Sequence, residues 1–224
     1  MKILVLGGSG FIGSQVCVKA VSEGHEVHAL GRNKPNKVPE GVNWVSKDAL
    51  DYEGMKSFLQ KESFDAVVNC IGILFDYSTP LRRLNKLFSG SNSVALNNNE
   101  TYSNIIEGIS LNIYHILKDT DCKMVFMSAA ETKWREKKTT RLFERIFIPK
   151  FLKEYLKRKR FVDDTVSEHE NVSIFYPSIV YRWNQFWKLP VVMGFRLGSF
   201  ITPILYNPIH VDKLSHNIVQ TLYR

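Results

Sequence analysis

Near the start of the chain, Gly7-Gly8-Ser9-Gly10-Phe11-Ile12-Gly13 sets glycines at the spacing G-x-x-G-x-x-G. Backbone that lacks a Cβ can approach an anion closely. Gly7 permits a tight turn, Gly10 lets the backbone come up to a pyrophosphate, and Gly13 lets a helix pack close to a sheet. Amides at the start of that helix then face the phosphates, helped by the helix dipole. The chemistry implied is a grip on a dinucleotide, with Gly7, Ser9, Gly10, Phe11, Ile12 and Gly13 in contact. A second position lies about 20 residues on, where a carboxylate commonly binds the adenosine ribose hydroxyls. Here the chain has Gly31 and Arg32. A guanidinium suits a 2′-phosphate through charge-assisted hydrogen bonds, so NADP(H) is expected in preference to NAD(H). Lys34 and Lys37 extend the same positive field.

The elements that must position these groups follow from the hydrophobic pattern. A short apolar strand over residues 2–6 runs into the glycines, and residues 11–22 read as a helix. Strands are predicted over 26–30 and 43–45, a helix over 52–61, and a nearly continuous apolar strand over 66–73 of the kind covered on both faces. Residues 74–99 form a long loop rich in Ser and Asn. A helix follows over 101–118, with Asn99 or Thr101 as its cap, then a strand over 123–127. A basic helix spans 142–167 with a break at Pro149. Strands over 172–176 and 206–210 precede a closing helix over 211–222. Strands and helices alternating in this way make an α/β fold, a Rossmann-like doubly wound parallel sheet with helices on both faces. Ligands in such sheets bind at the carboxyl ends of the strands, where the order reverses.

At 224 residues the chain has room for one full hydrophobic core. Net charge is +8, much of it between Lys133 and Arg160, which suits a phosphorylated ligand or an anionic membrane surface. No nucleic-acid motif accompanies the basic stretch, and nucleic acid is not expected as a partner. Cys17, Cys70 and Cys122 show no paired spacing. They read as buried reduced thiols in a reducing compartment, cytosol or mitochondrial matrix. The histidines show no metal-ligand spacing, and no metal is expected. No stretch reaches about 18 apolar residues, the length a membrane-spanning helix needs; Arg196 breaks the nearest run. The chain enters a strand at Ile3, and no signal or transit peptide is visible ahead of it.

Taken with its other motifs, the chain resembles the short-chain dehydrogenase/reductase superfamily in its extended or atypical branch, over nearly its whole length. Asp48 and Ala49 follow the third strand where that family meets the adenine. Asn69-Cys70-Ile71-Gly72 closes the fourth, which implies ribose and nicotinamide contacts from Ile71 and Gly72. Ser128 ends the fifth strand at the family's catalytic serine, and Tyr155-Leu156-Lys157-Arg158-Lys159 supplies Y-x-x-x-K. By that likeness Tyr155 exchanges a proton with substrate, Lys159 lowers the tyrosine pKa and holds the ribose, and Ser128 positions the carbonyl. Tyr155 and Lys159 lie four apart, hence on one helical face. Tyr114 and Lys118 have the same spacing but precede the fifth strand. Tyr176-Pro177-Ser178 stands where the family has R-P-G, which puts Pro177 beside the cofactor. Pro208-Ile209-His210-Val211-Asp212 resembles P-x-H-V-D.

Within that branch the chain is similar to two mitochondrial groups, the atypical reductases associated with coenzyme Q biosynthesis and the nucleotide-binding accessory subunit of respiratory complex I. The resemblance implies one NAD(P)-binding domain with a short extension over 178–224. It also implies a link to ubiquinone biosynthesis on the matrix side of the mitochondrial inner membrane. Expected partners are an apolar small-molecule substrate or quinone-pathway proteins. The alternatives are a non-catalytic accessory subunit of a respiratory or quinone-enzyme assembly, and a soluble cytoplasmic carbonyl reductase. Lys150, Lys153, Lys157 and Arg160 share a helix with Phe151, Leu152 and Phe161, followed by Trp183, Phe186, Trp187, Val191, Val192, Phe195 and Phe200. These read either as an interfacial surface or, preferentially, as a core-facing helix with a wet side and an apolar lid over the cleft.

Overall fold

The computed structural model describes residues 1–73, 101–182 and 206–223, with the single positions 193 and 197. The loop expected over 74–99, the candidate cap Asn99 and the residues Trp183, Phe186, Trp187, Val191, Val192, Phe195 and Phe200 lie outside the described residues. The described elements run β1 (Lys2–Leu6), α1 (Phe11–Ser22), β2 (Glu26–Gly31), β3 (Val42–Ser46), α2 (Tyr52–Glu62) and β4 (Ala66–Asn69). A π-helical segment, Ser103–Gly108, leads into α3 (Ile109–Leu117). Then come β5 (Lys123–Met127), a 3-10 segment (Ala130–Glu136), α4 (Lys138–Phe147), α5 (Lys150–Val166), β6 (Val172–Phe175), β7 (Val180–Tyr181), β8 (Ile209–His210) and α6 (Val211–Thr221).

Six strands form one parallel sheet in the order β3-β2-β1-β4-β5-β6. The order reverses between β1 and β4, so a crevice opens there at the carboxyl edge. Alternation along β1 explains why the sheet is covered on both faces. Leu4 and Leu6 join a core with Met55, Leu59, Ile109, Ile113 and Val162, from α2, α3 and α5. Ile3 and Val5 join the opposite core with Val16, Cys17, Ala20, Leu214 and Ile218, from α1 and α6. The doubly wound arrangement expected from the sequence is the one observed.

Two expectations need correction. The strand drawn over 66–73 ends at Asn69. The Asn69 carboxamide oxygen accepts from the Ile71 amide (3.1 Å), which closes a turn, and its Nδ2 donates to Ser110 Oγ (3.1 Å). A local side-chain acceptor outcompetes the sheet ladder. The strand drawn over 206–210 shrinks to Ile209–His210, which pairs in parallel with Val180–Tyr181 as a separate two-stranded unit. The break near Pro149 is present, between α4 and α5. Thr101 does cap its helix, accepting from the Asn104 amide at 3.1 Å.

The end of α1 is clasped from far along the chain. Glu23 accepts from Gln220 Nε2 (3.1 Å) and Tyr223 Oη (3.2 Å), and pairs with Lys19 (3.0 Å). At α2 the cap is local, with Asp51 Oδ1 accepting from the Gly54 amide at 3.1 Å. Asp51→Ala is expected to lower stability by about 1 kcal/mol, read from urea unfolding, since it strips one N-cap acceptor.

Candidate functional site

The glycine turn sits at the sheet's switch point. Gly7 has φ +73°, a left-handed conformation that glycine adopts without strain. Its amide donates to the Leu30 carbonyl (2.9 Å), and the Gly10 amide donates back to the Gly7 carbonyl (2.8 Å). A Cβ on Gly13 would lie 2.3 Å from that same carbonyl oxygen, so α1 can enter this close to β1 only with glycine there. A Cβ on Gly10 would touch only the Gly7 carbonyl, at 3.1 Å, and otherwise point into open space. The first turn of α1 has no acidic residue and no side-chain cap. A shallow, Cβ-free hollow before a helix start without a negative charge fits a pyrophosphate.

Around it the structure brings together most of the expected contacts. Ile71 lies against Gly7, where an added Cβ would meet its Cγ1 at 3.1 Å. Gly72 is exposed, with nothing within 4 Å of a would-be Cβ. Ser9 Oγ is 3.8 Å from the Cβ position of Gly31. Phe11 and Ile12 are half-buried at the start of α1. Ala49 is buried and Asp48 exposed, the latter's Oδ1 accepting from the Leu50 amide at 3.0 Å. Arg32 is exposed just beyond β2. A Cβ on Gly31 would lie 2.8 Å from Trp44 Cη2, so the indole fills the space an acidic side chain at 31 would need.

The three candidate catalytic residues also converge, at the carboxyl end of β5, but each is turned inward. Ser128 Oγ donates to Asp163 Oδ2 (2.7 Å). Lys159 Nζ donates to the Met127 carbonyl and stands 6.0 Å from the centre of the Tyr155 ring. Tyr155 packs edge-on against Tyr102, with centroids 5.8 Å apart. Ser128, Lys159 and Asp163 are 6%, 7% and 6% exposed. Burial holds Lys159 down at about 8, against the opposing pull of Asp163. Burial, and then the nearby Glu131, push the Tyr155 hydroxyl above its usual range. Pro177 joins the rim through its carbonyl, which accepts from the Ala130 amide (3.1 Å).

Three residues of this region were not singled out from the sequence. Asp163 is a carboxylate raised by burial and held partly back by the Ser128 hydrogen bond and by Lys159. Its one available signal was spacing, a further turn along the face that carries Tyr155 and Lys159. Glu131 is likewise raised by burial, although it accepts from Ser178 Oγ at 2.5 Å. The guanidinium of Arg182 lies 5.4 Å from the Phe11 ring centre and so brings a cation to the start of α1. No sequence pattern marked Glu131 or Arg182. The cysteines are free, and burial pushes the Cys17 and Cys122 thiols up to about 12.

Comparison with known proteins follows the same lines. The profile of the NAD dependent epimerase/dehydratase family matches residues 3–139. A UDP-glucose 4-epimerase from Klebsiella pneumoniae is 35% identical over 83 residues, 33% of this chain and 60% of that protein. The UDP-glucose 4-epimerase of Bacillus subtilis is 33% identical over 84 residues, 33% of this chain and 24% of that protein. MIOREX complex component 2 of Saccharomyces cerevisiae is 27% identical over 96 residues, 38% of this chain and 33% of that protein. The chain thus spans less than two thirds of the length of each. Among solved structures, the oxidoreductase ylbE from Lactococcus lactis superposes with a TM-score of 0.63 at 15% identity, covering 100% of this chain and 85% of that one. The Bordetella bronchiseptica enzyme WbmH in complex with NAD+ gives 0.62 at 14%, covering 99% and 72%. At these identities the structural likeness is one of fold. With more than half of its residues inside the matched profile and the glycine turn at the switch point, the chain belongs to the NAD dependent epimerase/dehydratase family.

Proposed function

We propose that this chain binds a nicotinamide dinucleotide across the β1–β4 crevice, NADP(H) in preference to NAD(H), and serves an oxidoreductase reaction on an apolar substrate. The observation that carries the reading is the hollow over Gly10, closed beneath by the Gly7–Gly13 contact. Gly7, Gly10 and the first turn of α1 would hold the pyrophosphate, and Ile71 and Gly72 the inner ribose. Arg32 would meet a 2′-phosphate beside Ser9, where Trp44 leaves no room for a competing carboxylate at position 31. The bound dinucleotide supplies or accepts hydride. Tyr155 Oη would exchange the accompanying proton with the substrate oxygen. For that, Ser128 Oγ must leave Asp163, and Lys159 Nζ must leave the Met127 carbonyl for the ribose.

Calorimetric titration with NADPH and then NADH tests the binding. Arg32→Asp is expected to weaken NADPH binding by about tenfold or more, the loss of a charge-assisted contact, and to spare NADH. Equal losses for both would remove the 2′-phosphate assignment.

A second reading is a nucleotide-binding accessory subunit without turnover. It is favoured by the inward hydrogen bonds of Ser128 and Lys159. Consumption of NADPH that is lost in Tyr155→Phe supports the first reading. Tight binding with no turnover, together with co-purifying partners, supports the second. The proposed setting is the matrix side of the mitochondrial inner membrane in ubiquinone biosynthesis, with the sequence resemblance and the distant similarity to a yeast complex component as its support. Fractionation of cells expressing the chain tests it, and recovery in the cytosol would favour a carbonyl reductase there.

A further inference from the structure

We propose that α4 is an interfacial helix whose outer face lies on an anionic lipid surface. Its inner face is fully engaged. Thr140 Oγ1 donates to the Trp134 carbonyl (2.6 Å), Phe143 packs edge-on against Trp134, and Glu144 takes the Arg160 guanidinium at 2.6 and 2.8 Å. Its outer face shows Leu142 and Ile146, one turn apart, 56% and 61% exposed. Exposed Lys138, Arg141 and Arg145 flank that apolar pair.

The charge around α4 is unbalanced. From Lys137 to Lys153 the chain carries six cations and one acid, Glu144, which is bound inward by Arg160. The neighbouring basic helix α5 differs. Its Arg158 pairs with Glu107 (2.6 Å) and Glu154 (2.8 Å), Arg160 with Glu144, and Lys159 is inside the site. A groove of about 500 Å³ beside α5 is ion-paired as well, with Arg135 Nη1 donating to Asp164 at 2.7 Å. Arg158 and Arg160 of α5 are therefore neutralised within the fold, whereas Lys138, Arg141 and Arg145 of α4 form no ion pair with a described carboxylate. An exposed apolar pair flanked by cations without carboxylate partners has the chemistry that recognises anionic headgroups and the acyl boundary beneath them. No described helix is long and apolar enough to cross a membrane, so the contact is one of lying on the surface.

The test is sedimentation of the purified chain with vesicles of phosphatidylcholine alone and of phosphatidylcholine mixed with phosphatidylserine. The wild-type chain is expected to pellet with the mixed vesicles at low salt, to be released by high salt, and to stay in the supernatant when the vesicles are neutral. Leu142→Asn/Ile146→Asn and Arg141→Glu/Arg145→Glu are each expected to lower binding by about tenfold or more. These side chains are exposed, and circular dichroism checks that each variant is folded. Val18→Asn, at an exposed apolar position on α1, should bind as the wild type does. No pelleting with the mixed vesicles, equal pelleting with both, or undiminished binding by the folded variants would overturn the proposal. So would a lipid-free dimer that Leu142→Asn/Ile146→Asn converts to monomer, since the face would then belong to a second copy. Dinucleotide titration of the same variants is independent of every one of these outcomes.

Discussion

Gly13→Ala is expected to abolish useful dinucleotide binding. The added Cβ would lie 2.3 Å from the Gly7 carbonyl oxygen and 2.9 Å from its carbon, both backbone atoms of the turn that faces the phosphates. Neither can swing aside as a flexible side chain would, so α1 must retreat from β1. Overpacking of this kind costs about 1–3 kcal/mol of stability. The amides at the start of α1 retreat with it, and the upper end of that range corresponds to about a hundredfold in affinity. Calorimetry with NADPH measures the second effect and urea unfolding the first. Gly72→Ala is the informative contrast, because nothing lies within 4 Å of its would-be Cβ and its stability should be unchanged. If Gly13→Ala bound NADPH like the wild type, the turn would not be the pyrophosphate site.

The second large effect concerns Lys159 and alkali. Burial brings its pKa from 10.5 down to about 8. Between those values the unfolded chain still holds the proton that the folded chain has released. Stability therefore rises with pH across that window. Below about 8 both states carry the proton and the full cost of burying the charge is present. Above 10.5 neither carries it. At 1.36 kcal/mol for each pKa unit the shift corresponds to about 3 kcal/mol. Lys159→Met removes the titrating group, so wild type should gain about 2–3 kcal/mol on the variant between pH 7 and pH 10. Taking the difference cancels the tyrosines and cysteines, which titrate in both chains. Unfolding curves at the two pH values decide the matter, and parallel losses in the two proteins would mean that Lys159 is not buried as described.

What could be read from the residues alone divides by range. The strand, glycine turn and helix over residues 2–22 were legible because each signal is local and each agrees with the next. The strands that build the sheet were legible for a similar reason, as apolar runs bounded by turn residues. Residues 70–73 were misread as strand because composition cannot show that the Asn69 carboxamide folds back on the Ile71 amide. Asp163 looked like one more charge in a polar run. Its partner Ser128 is 35 positions away, just past the end of β5, and only the docking of α5 onto the sheet brings the two together. Glu131 and Arg182 were invisible for the same reason, since their neighbours Ser178 and Phe11 are set by tertiary packing. The basic stretch was recognised, but which of its cations are neutralised, as Arg158 and Arg160 are, depends on which carboxylates the fold delivers.

The clasp at the end of α1 bears on how the protein is made. Gln220 and Glu23 are 197 positions apart. During translation, at about 5–20 residues per second, the apolar flank of α1 waits roughly 10–40 s for Leu214 and Ile218 to emerge. For that interval α1 is a natural client for chaperones that hold nascent chains. The helix behind the glycine turn gains its backing only after α6 has been synthesised.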